Sequence, residues 1–134
     1  MSSKPKTPLQ KYLSRKLSPY RRGDADCVAF VAGWVNVLYP DWPITLTPKT
    51  FGTVLRSLKS EPLAEQVQKR LSPRGFKLTN KPGTGDVVIF AHKESLGGES
   101  VGIYSGGKII SRIEGEKLFI AAEPEILKAW TFSK

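Results

Sequence analysis

The first half of the chain spaces its apolar residues three and four positions apart, which is the pattern of amphipathic helices. The clearest case predicts a helix over residues 26–39, which Pro40 ends because proline cannot continue a helix. Similar spacing predicts helices over residues 47–58 and 62–71. A short amphipathic helix is also predicted to follow Pro8, since proline favours the first helical position.

After position 75 the spacing changes to short apolar runs separated by glycine-containing turns, as in antiparallel sheets. The predicted strands cover residues 76–78, 86–91, 100–104, 108–112, 117–121 and 129–132. Residues 124–127 are predicted to form one helical turn before the last strand. The Val-Val-Ile-Phe run at 87–90 predicts a strand that is buried on both faces. The fold class is therefore α+β, with N-terminal helices packed on an antiparallel β-sheet.

The only cysteine lies where the predicted helix over residues 26–39 begins. Asp26 is a good N-cap, because its carboxylate can accept hydrogen bonds from unpaired N–H groups of the first turn. Cys27 follows, where the positive end of the helix dipole favours a thiolate. This is one way to hold a cysteine nucleophile. The alternative is structural, because a lone cysteine on an apolar helix is usually a small core residue.

Composition excludes several classes of protein. With 134 residues the chain is long enough to form one domain with a real core. A single cysteine rules out an internal disulfide framework, and no Cys/His cluster has the spacing of zinc ligands, so neither a metal nor a cofactor is expected. We also expect no membrane span and no export leader, since no apolar stretch has the required length.

Positive charge is concentrated at the N-terminus. The chain has a net charge of +9, and its first 22 residues contain seven basic residues and no acidic ones: Lys4, Lys6, Lys11, Arg15, Lys16, Arg21 and Arg22. We expect residues 1–19 to form a basic arm and residues 20–134 to form a single domain, and we expect the basic residues of positions 1–22 to dock on an acidic partner protein or polymer. The alternative is a first helix that packs on its own domain. Nucleic acid is a less favoured partner, because the three tryptophans are not interleaved as a stacking platform.

Two motifs in sequence order resemble a known family. The first is Tyr-x-x-Gly-x-x-Asp-Cys-x-x-Phe at residues 20–30. The second combines Pro-Gly-x-Gly-Asp-Val-Val-x-Phe at 82–90 with Val-Gly-Ile-Tyr-x-Gly-Gly-Lys-x-Ile at 101–110. Together they resemble the NlpC-type branch of the papain-like cysteine peptidases. The helical insert and the closing strand are similar to those of small phage-encoded relatives associated with tails.

The resemblance implies roles for individual residues. Cys27 matches the family's nucleophile, and Tyr20 and Asp26 match positions beside the substrate. The general base of the family is a histidine immediately before Val-Gly-Ile-Tyr, where this chain has Ser100. The third, orienting residue falls at Ser111. Because a serine hydroxyl cannot act as the acid and base of this reaction, the resemblance implies a degenerate site, with Ser100 directed toward the cysteine.

His92 is the only histidine and therefore the only substitute base of that kind. If the strand that precedes it pairs with the strand beginning at Ser100, His92 would lie opposite Ser100, and cross-strand neighbours have Cβ atoms about 5 Å apart. The alternative is a histidine at the end of a hairpin that faces solvent.

Two functions follow from the resemblance. The first is a structural protein of a phage virion, associated with the tail, made in the host cytoplasm and partnered by other tail proteins. The second is an active cysteine amidase or endopeptidase that cleaves peptidoglycan peptides with Cys27 as nucleophile. The missing histidine favours the structural protein.

Overall fold

The computed structural model describes residues 8–13, 27–44, 63–92, 99–111, 119–122 and 125–132. Its helices are α1 (Pro8–Leu13), α2 (Cys27–Leu38) and α3 (Leu63–Leu71). These confirm three of the predicted helices, and the fourth, over residues 47–58, lies outside the described residues. A 3-10 turn at Ser72–Arg74 follows α3, and Gly75 ends it in the left-handed region at φ 89°, which glycine adopts without strain.

The strands form one six-stranded sheet in the order β1-β6-β2-β3-β4-β5, and every neighbouring pair is antiparallel. The strands are β1 (Phe76–Leu78), β2 (Val87–Ala91), β3 (Glu99–Ser105), β4 (Lys108–Ser111), β5 (Phe119–Ala122) and β6 (Ile126–Phe132). Helices that precede and pack on an antiparallel sheet confirm the predicted α+β class.

The helical turn predicted at residues 124–127 is wrong for the residues that the structure describes. Ile126 is aligned with Phe90, and the N–H of Ala91 donates to the carbonyl of Glu125 at 3.0 Å. A bulge lets Leu127 pass without a partner on β2 before the pairing resumes at Lys128. Pairing with a distant strand therefore overrides the local helical preference of this segment.

The central strand β2 is buried on both faces, as the sequence predicted, and its residues divide between two apolar clusters. One cluster joins the sheet to α1, α2 and α3 and includes Val87, Ile89, Val101, Ile103 and Trp130. The other lies on the opposite face of the sheet and contains Val88, Phe90, Ile109 and Ala129. We call these the helix face and the far face.

The turn before β2 holds α2 in place. The indole N–H of Trp34 donates to the carbonyl of Gly85 at 2.7 Å, and the N–H of Gly85 donates to Tyr104 on β3 at 2.8 Å. Asp86 closes the same turn by accepting the N–H of Gly83 at 2.8 Å. This Pro-Gly-Thr-Gly-Asp turn therefore positions the middle of α2 over the sheet.

Helix α1 packs on α2, which is the alternative that the sequence left open for this part of the basic arm. Leu9 and Tyr12 belong to the helix-face core, whereas Lys11 is exposed. The hydroxyl of Tyr12 donates to the carbonyl of Phe30 at 2.5 Å. Gly33 makes this approach possible, because a Cβ there would collide with the Tyr12 hydroxyl. Removing this helix would therefore remove core side chains.

We expect Tyr12→Phe to lower the free energy of unfolding by about 1 kcal/mol, because it removes a buried hydrogen bond to Phe30 and little packing. Urea denaturation measures the difference. Lys11→Gln, on the exposed side of the same helix, is the control and should stay within about 0.5 kcal/mol of the wild type. Equal stability of all three proteins would contradict the packing of α1 described above.

Gly102→Ala should be more damaging. A Cβ at this position would lie 2.6 Å from Cγ2 of Ile109 and 2.8 Å from the carbonyl oxygen of Ile110, so β3 and β4 would have to separate. We expect a loss of about 1–3 kcal/mol, the usual range for overpacking, in a urea titration. Gly83→Ala is the matched control, since its Cβ would meet no atom closer than Asp86 at 3.9 Å.

Candidate functional site

The helix that carries the cysteine begins where the sequence predicted, since α2 starts at Cys27. The side chain of Cys27 lies outside the described part of the structure. So do the other predicted site and arm residues on this side of the chain: Lys4, Lys6, Arg15, Lys16, Tyr20, Arg21, Arg22 and Asp26. What the structure describes is the sheet to which the resemblance assigns the partners of the nucleophile.

Ser100 lies on the far face of the sheet. It is aligned with Phe90 across the β2-β3 ladder, and aligned residues of neighbouring strands point to the same side. Phe90 belongs to the far-face cluster, whereas the next residue along β3, Val101, packs with α2 on the helix face. The prediction that Ser100 is directed toward the cysteine helix is therefore wrong, because the register places its side chain on the opposite side of the sheet from α2.

Ser111 lies on the same face as Ser100. A Cβ on Gly102 would sit 3.3 Å from Cβ of Ser111, and Gly102 follows Ser100 by two positions on β3. The Ser111 hydroxyl is fully buried and donates to the carbonyl of Val101 at 2.7 Å. The hydroxyl proton of Ser111 on β4 is thus engaged in a hydrogen bond to the backbone of β3.

His92 does not lie opposite Ser100. The ladder aligns Phe90 with Ser100 and Ala91 with Glu99, so the predicted register is displaced by two residues. The described part of β2 ends at Ala91, before the histidine. The imidazole instead meets the ring of Phe90 edge-on, with the ring centres 6.2 Å apart. The structure therefore brings Ser100 and Ser111 to one face of the sheet, but it does not align the histidine with Ser100.

Both serines at the positions of the predicted catalytic partners are buried. Ser100 is 1% exposed and Ser111 0%, so both hydroxyls are shielded from water. An ordinary serine hydroxyl does not act as a general base near neutral pH. Within the described ranges, no group of three or more His, Cys, Asp and Glu side chains could hold a metal ion. No helix in the same ranges has the length and apolar character that a membrane span requires.

A loop after α2, which we call the Trp42 loop (residues 39–44), was not predicted from the sequence as part of a functional site. Its C-terminal end is held by Asn36, whose side-chain amide donates to the carbonyl of Ile44 at 2.9 Å and accepts the Ile44 N–H at 2.6 Å. Trp42, at the tip, is 51% exposed. The sequence signal was a tryptophan close to two prolines, which predicts a turn and the end of a helix but gives no partner.

Arg74 holds the tip of the Trp42 loop from the 3-10 turn after α3. Its Nε donates to the carbonyl of Trp42 at 2.7 Å and its Nη1 to Arg70 at 2.6 Å, and the guanidinium carbon lies 4.3 Å from the centre of the indole ring. Burial lowers the pKa of the Arg74 guanidinium below its usual value, although arginine remains charged at any physiological pH. The loop and its exposed tryptophan are thus fixed by a buried cation.

Comparisons with protein-family models, with curated proteins and with solved structures gave no match for this chain.

Ser100→His, which introduces the histidine that the resemblance implies at this position, is expected to destabilise the protein without creating activity. The imidazole would enter a packed position on the side of the sheet away from α2, at a cost of about 1–3 kcal/mol for overpacking. Urea denaturation and hydrolysis of peptidoglycan fragments measure the two effects. Ser105→His, at a partly exposed position on the same strand, is the control for stability. Cys27-dependent hydrolysis by the Ser100→His variant would show that this position does reach the thiol.

Proposed function

We propose that this chain is a non-catalytic structural protein, a tail-associated component of a phage virion, built on an NlpC-type scaffold that has lost its catalytic residues. The two sequence motifs support the scaffold, and the antiparallel sheet with a preceding helix at Cys27 is compatible with it. The association with a tail rests on the resemblance alone. The serine at position 100, where the resemblance implies a histidine, is the reason to regard the scaffold as non-catalytic.

The observation that carries the proposal is the residue type at position 100, a serine where the resemblance implies a histidine. Acyl transfer by a cysteine needs a base that takes the thiol proton and an acid that returns a proton to the leaving amine. The resemblance puts that residue at position 100, where this chain has a buried serine. The place of Ser100 on the far face differs from what the resemblance implies, so the support comes from the residue type and not from its orientation. Loss of one member of such a constellation costs several orders of magnitude in rate. A peptidase of useful rate is therefore not expected.

The surface charge supports a role in assembly. The chain has 21 Lys and Arg residues against 12 Asp and Glu residues, so its association with an acidic protein is electrostatically favourable. Helix α1 can contribute both to the core and to binding of a partner, because it buries Leu9 and Tyr12 while Lys11 stays exposed. The partners that fit this description are other, acidic proteins of the particle.

We expect the purified protein to show no cysteine-dependent hydrolysis of peptidoglycan fragments. Wild type, Cys27→Ser and His92→Ala should give the same background release of amines or amino sugars, because His92 is not aligned with the base position. Turnover by the wild type that disappears in Cys27→Ser would establish the amidase instead. If the turnover were absent from His92→Ala as well, the histidine would be identified as the base.

The structural role has its own test, which does not depend on enzyme assays. Mass spectrometry of density-purified particles of the encoding phage should detect the chain in a fixed ratio to the other tail proteins. Particles from a deletion mutant serve as the control. Detection only in the host lysate, and not in the particles, would overturn the proposal.

A further inference from the structure

The Trp42 loop presents a large apolar side chain to solvent on a rigid support. Pro40 and Pro43 restrict the backbone on either side of Trp42, and Asn36 and Arg74 fix the loop through hydrogen bonds to its carbonyls. A side chain that is already ordered loses little entropy when a partner covers it. Tryptophan and arginine are also the residue types most enriched among the positions that dominate binding energy. The loop thus has the properties of a docking site.

The charge behind the tryptophan indicates the chemistry of the partner. Arg74 is 7% exposed, and three of the five N–H donors that an arginine carries bind the carbonyls of Trp42, Arg70 and Pro43. Among the described residues, no carboxylate forms an ion pair with this guanidinium. Carbonyl oxygens satisfy its hydrogen bonds but do not cancel its charge. The loop has a carboxylate of its own, Asp41, but its side chain is exposed and is not among the hydrogen-bond partners of Arg74. Within the part of the chain that the structure describes, the positive charge of Arg74 therefore has no ion-pair partner and favours an anionic group at the rim of the loop.

We propose that the Trp42 loop is the docking site for an acidic segment of a partner protein. An apolar side chain of that segment packs on the exposed face of the Trp42 indole, and a neighbouring Asp or Glu lies at the rim, where the charge of Arg74 attracts it. The inference extends the proposed structural role by assigning the surface through which the chain joins its partner.

The structure favours a protein segment over the two other kinds of occupant. Nucleic acid would need several aromatic platforms, but Trp34 and Trp130 are buried, and the guanidinium of Arg74 already lies against the Trp42 ring. A second copy of this chain is disfavoured because two chains that each carry a net charge of +9 repel each other. An acidic peptide has both the opposite charge and the apolar group that the loop requires.

The test is a selection of peptides from a random display library by the full-length chain, followed by calorimetry with the synthetic peptides that are enriched. We expect enriched peptides to combine Asp or Glu with an adjacent apolar residue. Their affinity should fall as salt rises, since an ionic contribution at the surface is screened. No enrichment, or enrichment without an acidic preference, would overturn the proposal.

Variants then locate the site. Trp42→Ala should weaken binding of the selected peptides by about tenfold or more, and Trp42→Phe, which keeps a flat ring, should restore most of it. Arg74→Gln should weaken binding and reduce its salt dependence, provided that thermal unfolding shows the variant to be folded. Leu78→Ala is the matched control, because Leu78 is an equally exposed apolar residue on β1, 57% accessible, outside the loop. Equal affinity of Trp42→Ala and wild type would overturn the proposal.

Three further measurements separate this inference from the other possibilities. Tighter binding of a single-stranded oligonucleotide than of any selected peptide would favour nucleic acid and contradict the proposal. A Trp42-dependent dimer in sedimentation experiments would identify a second copy as the occupant and contradict it as well. If the chain were absent from virions yet its selected peptides bound through Trp42, the structural role would fail while the docking site would stand.

Discussion

The burial of β2 on both faces is the constraint on which the rest of the structure depends. A strand with apolar side chains on each side needs a neighbour at each edge and cover above and below. β3 and β6 supply the edges, and the helices cover one face through residues such as Trp34 and Val35. The same requirement brings β6, the last described strand, into the sheet between β1 and β2, although β2 lies far earlier in the chain.

The spacing of apolar residues predicted most helices and strands correctly, because the formation of these elements depends mainly on residues that are close in sequence. The spacing of Phe30, Trp34 and Leu38 gave α2 its position, and the unbroken apolar run of β2 gave both the strand and its two-sided burial. Proline and glycine marked most of the ends correctly. The error at residues 124–127 has a different origin, since nothing close to Ile126 in the sequence reports that it pairs with Phe90.

The candidate site was less predictable than the elements that carry it. Motif spacing put Ser100 and Ser111 on adjacent strands, but which face a residue occupies depends on the register. The observed pairing of β2 with β3 is displaced by two residues from the predicted one. Phe90, and not His92, is therefore aligned with Ser100. The Trp42 loop could not be predicted at all, because Arg74 lies 32 positions away and only the folded chain brings it beneath the tryptophan.

The distribution of the three tryptophans has a practical consequence for spectroscopy. Trp34 and Trp130 are almost completely inaccessible, whereas half of the surface of Trp42 is open to water. A water-soluble collisional quencher therefore reaches one indole in the native protein and all three after unfolding. The intrinsic fluorescence of the chain is thus a site-specific reporter of this loop that needs no label.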